Sequence, residues 1–395
     1  MLLSLACLFA FSIGAGLIFT RLRLPRIIGM LLAGILIGPY SWNLLASPLL
    51  EHSADIRKLA LVIILIKAGL SIKWSDFQSI GRPALLMAFL PACAEGLAYT
   101  LLAPIFFDIS YSEAALMGSV LAAVSPAVVV PRMVEMIEQT IGSRKKIPQL
   151  ILAGASLDDV VVIVLFSALL GFTTEESLKP LDLANIPISI LTSIVIGVLA
   201  GMLFAKLLKH CQKSLQDHPH YQHLLLLSLA LVLTAVEARL SSHFPYSGLL
   251  AVLVMAVQFN QAQTATTRQS FSQAFARMWG IGEIFLFVLV GAIIDVNYTP
   301  LAGLPAILLI ILTLLIRSVA VLICVSGTGL NRSEKLFCVI AYLPKATVQA
   351  AIGGIPLAMG LDSGKTILSV AVLGILLTAP LGAILLDRYG KALLD

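Results

Sequence analysis

Charge is what this chain has least of. Only 12% of its 395 residues are Asp, Glu, Lys or Arg, about half the share in an ordinary soluble domain. Long apolar runs approach bilayer length, and no segment between them is long enough for a soluble domain. A soluble enzyme or binding module is thereby excluded. Aromatics are also sparse, at 7%, and the apolar runs do not alternate as a transmembrane β-barrel requires. The spans are therefore helical, because each must satisfy its own backbone in lipid. The five cysteines, Cys7, Cys93, Cys211, Cys324 and Cys338, are scattered. They show neither metal-ligand spacing nor a disulfide framework, and read as packing residues. No Gly-x-x-x-x-Gly-Lys-Ser/Thr loop is present, which argues against an ATP-driven pump. The net charge of +5 resides in loops beside the membrane and does not imply a nucleic-acid partner.

What remains is an all-α polytopic membrane protein with about thirteen spans. They centre near residues 2–20, 26–39, 56–72, 84–106, 113–135, 147–171, 185–208, 221–240, 246–262, 279–296, 300–326, 333–358 and 366–386. The run Leu2 to Thr20 lacks a basic region before it and reads as a retained first span, not a signal peptide. Lys and Arg fix the orientation. With the N-terminus outside, the cytoplasmic loops hold most of the 26, including Lys73, Arg82, Arg144, Lys145, Lys146 and Lys213. The outer loops hold only Arg57, Lys58, Lys179, Arg239 and Lys365, and the C-terminus is cytoplasmic. A multi-pass protein of a bacterial inner membrane is expected. Only Lys67, Arg317 and Lys345 among the basic residues stay within spans.

Two aspartates sit side by side in an apolar run, Asp158 and Asp159, followed by Val160 to Phe166. Each ionised carboxylate at such a depth costs roughly 2.5–3.5 kcal/mol on insertion scales. A bound cation or proton would offset that cost, so the pair points to cation movement. On a helix the two side chains diverge by about 100°. One can face an ion path while the other faces a packed neighbour or a counter-charge. Hard oxygen ligands suit Na⁺ or Li⁺. Burial favours the protonated acid, so proton and metal ion can compete for one site.

Proline interrupts two spans in comparable ways, in Ala122-Ala-Val-Ser125-Pro126 and in Ala341-Tyr-Leu-Pro344-Lys345-Ala-Thr347. Each interruption follows a span with one buried charge, Glu95 in the first case and Arg317 in the second. The units 84–171 and 300–386 thus share an order of charged, broken and third helix. Their orientations are opposite, the inverted-repeat pattern of a secondary transporter. Glu95 and Arg317 are expected to form an ion pair, or Glu95 carries a proton of its own. Lys345, with Pro126, Pro344 and Thr347 at the breaks, is expected to offset the freed helix ends, each worth about half an elementary charge. Lys67 reads as snorkelling to the surface. His210, His218, His220 and His223 cluster around one cytoplasmic loop and read as solvated; a metal site or a pH-sensing role is the alternative.

These motifs resemble the NHA branch of the cation/proton antiporter superfamily, the sodium/hydrogen exchanger 9B-like proteins and their bacterial relatives. The matching runs are Leu59–Leu70, Ala123–Pro131, Ser156–Asp159 and Ala341–Ile352, with Leu24–Pro39 similar to the early span of many relatives. The resemblance implies an NhaA-like fold with inverted repeats and two broken crossing helices. It implies core segments at 84–171 and 300–387, dimerisation helices at 1–83 and 221–299, a linker at 172–220 and a tail at 388–395. It further implies a homodimer with no cofactor, and elevator-like exchange of Na⁺ or Li⁺ for H⁺ at Asp158 and Asp159. Asp159 would be the exchanging carboxylate. Ser125 and the carbonyls of Ala123 and Ala155 would be further oxygen donors.

Stoichiometry is pulled two ways. Many electrogenic relatives carry lysine where Arg317 stands, and arginine is a poor proton carrier. The adjacent aspartates instead resemble electrogenic members, and the balance leans to electroneutral exchange. A K⁺/H⁺ exchanger of the same fold is one alternative; such systems commonly carry a nucleotide-binding domain, and no Gly-x-Gly-x-x-Gly module occurs here. A Na⁺-coupled organic anion symporter is the other.

Overall fold

The computed structural model describes residues 1–71, 74–142, 145–173, 182–210, 219–240, 246–294 and 299–394. Of the residues singled out above, Lys73, Arg144, Lys179, Cys211, Lys213 and His218 lie outside them, as does the side chain of Arg239. Every regular element among the described residues is a helix. In chain order these are α1 (Leu2–Arg21), α2 (Arg26–Ile37), α3 (Ser47–Glu51), α4 (Ser53–Ser71), α5 (Trp74–Phe106), α6 (Tyr111–Leu121), α7 (Pro126–Glu138), α8 (Ile147–Thr173) and α9 (Asp182–His210). Then follow α10 (Pro219–Leu240), α11 (Gly248–Gln261), α12 (Ala265–Ala292), α13 (Thr299–Cys324), α14 (Arg332–Ala341), α15 (Thr347–Ile352), α16 (Ile355–Ala358) and α17 (Gly364–Leu394).

Eight segments among the described residues are long and apolar enough to cross a membrane, and four shorter apolar helices accompany them. The expected crossings at 113–135 and 333–358 are each interrupted, and the one at 26–39 ends at Ile37.

Several helices expose apolar side chains while burying polar ones. On α13 the side chains of Leu304, Leu308, Ile311, Leu315, Val319 and Ile323 are exposed. Their three- and four-residue spacing makes one stripe, and water would not tolerate it. Thr313 and Arg317 lie on the buried side of the same helix. Such an inversion is what lipid demands, with polar groups turned toward protein.

The described chain forms two compact units. The first comprises Met1–Arg57, Ser79–Val162 and Ile284–Asp395, and the second Lys58–Gln78 and Ile163–Glu283. In the second unit α9 lies hard against α11. A Cβ on Gly197 would stand 2.6 Å from the Ala251 carbonyl oxygen, and one on Gly201 2.7 Å from that of Met255. The Gly-x-x-x-Gly spacing allows this approach of two backbones, the usual way helices pack in lipid. Lys67 lies in this unit with its Nζ 5.9 Å from the centre of the Trp279 ring.

The first unit contains both interruptions, and their layouts correspond. α6 opens with a capping box, in which Ser110 Oγ accepts from the Glu113 amide and the Glu113 carboxylate accepts from the Ser110 amide. α14 opens the same way, with Asn331 and Glu334. Asn331 and Glu334 stand 221 positions after Ser110 and Glu113. The residues that start the second half-helices, Ser125 and Ala346, keep that spacing. Capping boxes fix helix starts, so each interrupted segment has a defined beginning and a defined break.

Candidate functional site

A proline stands at each break. Pro126 occupies the first turn of α7, where a missing N–H costs nothing, and it pushes Ser125 into extended backbone (φ −86°, ψ 110°). α6 therefore stops at Leu121, and the carbonyls of Leu121, Ala122 and Ala123 lose their helical partners. Pro344 lies instead in the non-helical stretch between the end of α14 at Ala341 and the start of α15 at Thr347. The breaks bond to each other directly: the Ser125 amide donates to the Pro344 carbonyl at 2.7 Å.

Three side chains from the second interrupted segment and its preceding helix satisfy the three freed carbonyls. Lys345 Nζ donates to Leu121 O at 2.5 Å. Arg317 Nη1 donates to Ala122 O. Gln349 Nε2 donates to Ala123 O at 2.9 Å. Two of the three donors are cations set at the negative end of α6, where they are worth most. Thr347 is buried at the start of α15.

Arg317 is the hub. Its Nε donates to Tyr342 O at 2.9 Å, its Nη1 also bonds Glu95 at 2.7 Å, and its Nη2 reaches Asp158 Oδ2 at 3.2 Å. The guanidinium stacks 5.4 Å from the centre of the Tyr342 ring. A planar fork of five donors can serve two carbonyls and two carboxylates at once, which an ammonium group cannot. Lys345 Nζ lies 2.7 Å from the second oxygen of Glu95. Glu95, Asp158, Arg317 and Lys345 are all fully or almost fully buried.

The two aspartates, adjacent on α8, have different surroundings. Asp158 Oδ2 accepts the Val124 amide at 2.6 Å as well as Arg317. Asp159 is only partly buried and pairs with no cation among the described residues. Asp158 Oδ1, Asp159 Oδ1 and Ser125 Oγ are buried without a hydrogen-bond partner among the described residues. The carboxylate oxygens can receive a hard cation or a proton, and the hydroxyl oxygen a hard cation. Of the other oxygens named from sequence, that of Ala123 receives Gln349, and Ala155 lies within the unbroken helix α8.

Gly154, one turn before Asp158, lets α8 approach the second break: a Cβ there would collide with Tyr342 Oη. On α17, a Cβ on Gly382 would collide with Pro344. The Lys345 amide donates to Thr378 Oγ1 at 2.9 Å, and that hydroxyl donates to Gly374 O at 2.7 Å. Gln349, Thr378, Tyr342 and the Val124 amide thus join the site without having been singled out in the sequence. A polar Gln inside an apolar half-helix was the one signal available for Gln349.

The histidines give no metal centre among the described residues, where no group of three or more His, Cys, Asp or Glu is placed to hold an ion. His223 Nε2 instead lies 3.2 Å from Ser270 Oγ, with its ring against Phe271.

Comparison with known proteins places this chain in a family. The family model described as "Sodium/hydrogen exchanger, transmembrane" matches residues 7–390. Sodium/hydrogen exchanger 9B2 of Xenopus tropicalis is 34% identical over 410 residues, covering 99% of this chain and 74% of that protein. The human 9B2 protein is 32% identical over 385 residues, covering 94% and 70%. Among solved structures, the sodium proton antiporter MjNhaP1 from Methanocaldococcus jannaschii at pH 8 matches with a TM-score of 0.80 at 21% identity, covering 99% of this chain and 98% of that one. The fold is that of this antiporter, and the chain belongs to the sodium/hydrogen exchanger family of cation/proton exchangers.

Proposed function

We propose that the protein is a secondary active antiporter exchanging Na⁺ or Li⁺ for H⁺, with cation and proton competing at Asp158 and Asp159. The charge count of the buried cluster carries this reading. Three carboxylates, Glu95, Asp158 and Asp159, face two cations, Arg317 and Lys345. Glu95 and Asp158 are the two paired acids, so the surplus negative charge rests on Asp159. One Na⁺ or one proton neutralises it equally well. Either form can then cross the membrane at a cost the ionised empty form would not share. If only a neutralised core changes sides, competition at one carboxylate suffices for coupled exchange.

One carboxylate exchanging one cation for one proton makes the cycle electroneutral. Arg317 keeps its charge throughout, bound to four acceptors, and carries no proton. Asp158 holds the Val124 amide and thereby the break; Ser125 and Asp158 supply further oxygen atoms to the ion.

The corresponding interruptions support a pair of inverted three-helix repeats. We read thirteen crossings, α4 and the short and broken helices included, with the N-terminus outside and the C-terminus in the cytoplasm. The segments 84–171 and 300–387 form the moving core of an elevator, and the protein works as a homodimer. Purified protein in liposomes with a trapped pH dye tests the reaction. Addition of Na⁺ or Li⁺ should move protons across neutral pH; silence toward both ions, or a response to K⁺ alone, would overturn the assignment.

A further inference from the structure

A cavity of ≈ 860 Å³ lies between the start of α5, the start of α8 and the end of α13. Arg82, Lys145 and Lys146 line it, and none of its lining side chains among the described residues is acidic. Lys145 is partly committed, with its Nζ 2.7 Å from Glu334 Oε2 and donating to Gly329 O at 3.0 Å. Arg82 and Lys146 are exposed and have no ion-pair partner among the described residues. The start of α8 adds the positive end of a helix dipole. The opposing negative end of α13 is blunted, because the hydroxyls of Ser326 and Thr328 donate to the carbonyls of Leu322 and Val325. Positive charge around a concave space is the signature of an anion site.

The walls say which anion. Leu86, Leu150 and Ile323 line the same cavity. Ile323 is the last member of the exposed apolar stripe on α13, so the cavity is continuous with a surface made for acyl chains. The site is separate from the buried carboxylates. Gln149 on its lining precedes Asp158 by nine residues of helix, about 13 Å. The apolar cluster of Met87, Ile151, Val321 and Tyr342 packs behind Leu86 and Leu150.

We propose that this cavity binds the phosphate headgroup of an anionic phospholipid, with Arg82 and Lys146 as its principal contacts and the α13 stripe beside its acyl chain. The site owes nothing to the exchange reading, and its test reads binding alone. Detergent-solubilised full-length protein is titrated with phosphatidylglycerol, phosphatidylcholine or inorganic phosphate, and its thermal unfolding is followed. Phosphatidylglycerol should raise the midpoint more than phosphatidylcholine. The double variant Arg82→Gln/Lys146→Gln should weaken that response by about tenfold in apparent affinity. Both side chains are exposed, so folding of the variant is not at stake. A response to inorganic phosphate that the variant loses would uphold the phosphate site and assign it to a soluble ion. Equal responses to both lipids, or a phosphatidylglycerol response unchanged in the variant, would overturn the proposal.

Discussion

Asp158 and Thr378 do the same backbone task at the two breaks. Asp158 accepts the Val124 amide at 2.6 Å, and Thr378 accepts the Lys345 amide at 2.9 Å, each from a long helix that follows the break. One acceptor is a carboxylate and the other a hydroxyl. Both terminate a helix interruption, and only Asp158 adds charge. The buried site is therefore lopsided, with its acids on α5 and α8 and its cations on α13 and beside Pro344.

Thr378→Val keeps the shape and removes the acceptor. The Lys345 amide would then be buried without a partner, a loss of about 1–3 kcal/mol. A lower unfolding midpoint for Thr378→Val, with Thr378→Ser close to wild type, is the expected result.

Arg317→Ala leaves Glu95 and Asp158 facing each other with two carbonyls unbonded. Breaking a buried ion pair this way costs about 3–5 kcal/mol. The yield of folded protein after solubilisation should collapse. Arg317→Lys retains the charge but serves fewer of the four acceptors, so its midpoint should fall between the two.

Gly154→Ala places a methyl group against Tyr342 Oη. Overpacking of this kind costs about 1–3 kcal/mol. Tyr342→Phe removes the colliding atom, and in the double variant much of the lost stability should return. Thermal unfolding of the two single variants and the double variant measures this coupling.

The proposed exchange at one carboxylate has an electrical consequence. Proton movement driven by Na⁺ should run at the same rate at two imposed membrane potentials, because one charge enters for each that leaves. A rate that rises with potential would mean that Asp158 also changes its proton in each cycle.

Much of this site can be read from the sequence because its strongest signals are local. Pro126 and Pro344 stand at the two breaks, although Pro91 and Pro131 sit inside continuous helices, and Asp158, Asp159, Glu95, Arg317 and Lys345 are conspicuous among apolar neighbours. The capping boxes Ser110-x-x-Glu113 and Asn331-x-x-Glu334 are equally local and give both interrupted segments a common start. What stays hidden is the pairing. The three carbonyls of Leu121, Ala122 and Ala123 receive donors about 200 residues away in the chain, and a carbonyl leaves no trace in composition. Thr378 is hidden for a related reason: a threonine in an apolar helix ordinarily bonds its own turn, as Thr313 does. The length of a crossing is also poorly legible, since hydropathy runs straight through the breaks.

The most direct test is Na⁺-driven proton movement in liposomes carrying Asp159→Asn. The substitution preserves size and removes the one carboxylate of the cluster that no cation among the described residues holds. Folded protein with wild-type thermal stability and no Na⁺- or Li⁺-dependent proton movement is the result that competition at Asp159 predicts. Turnover at the wild-type rate would contradict it.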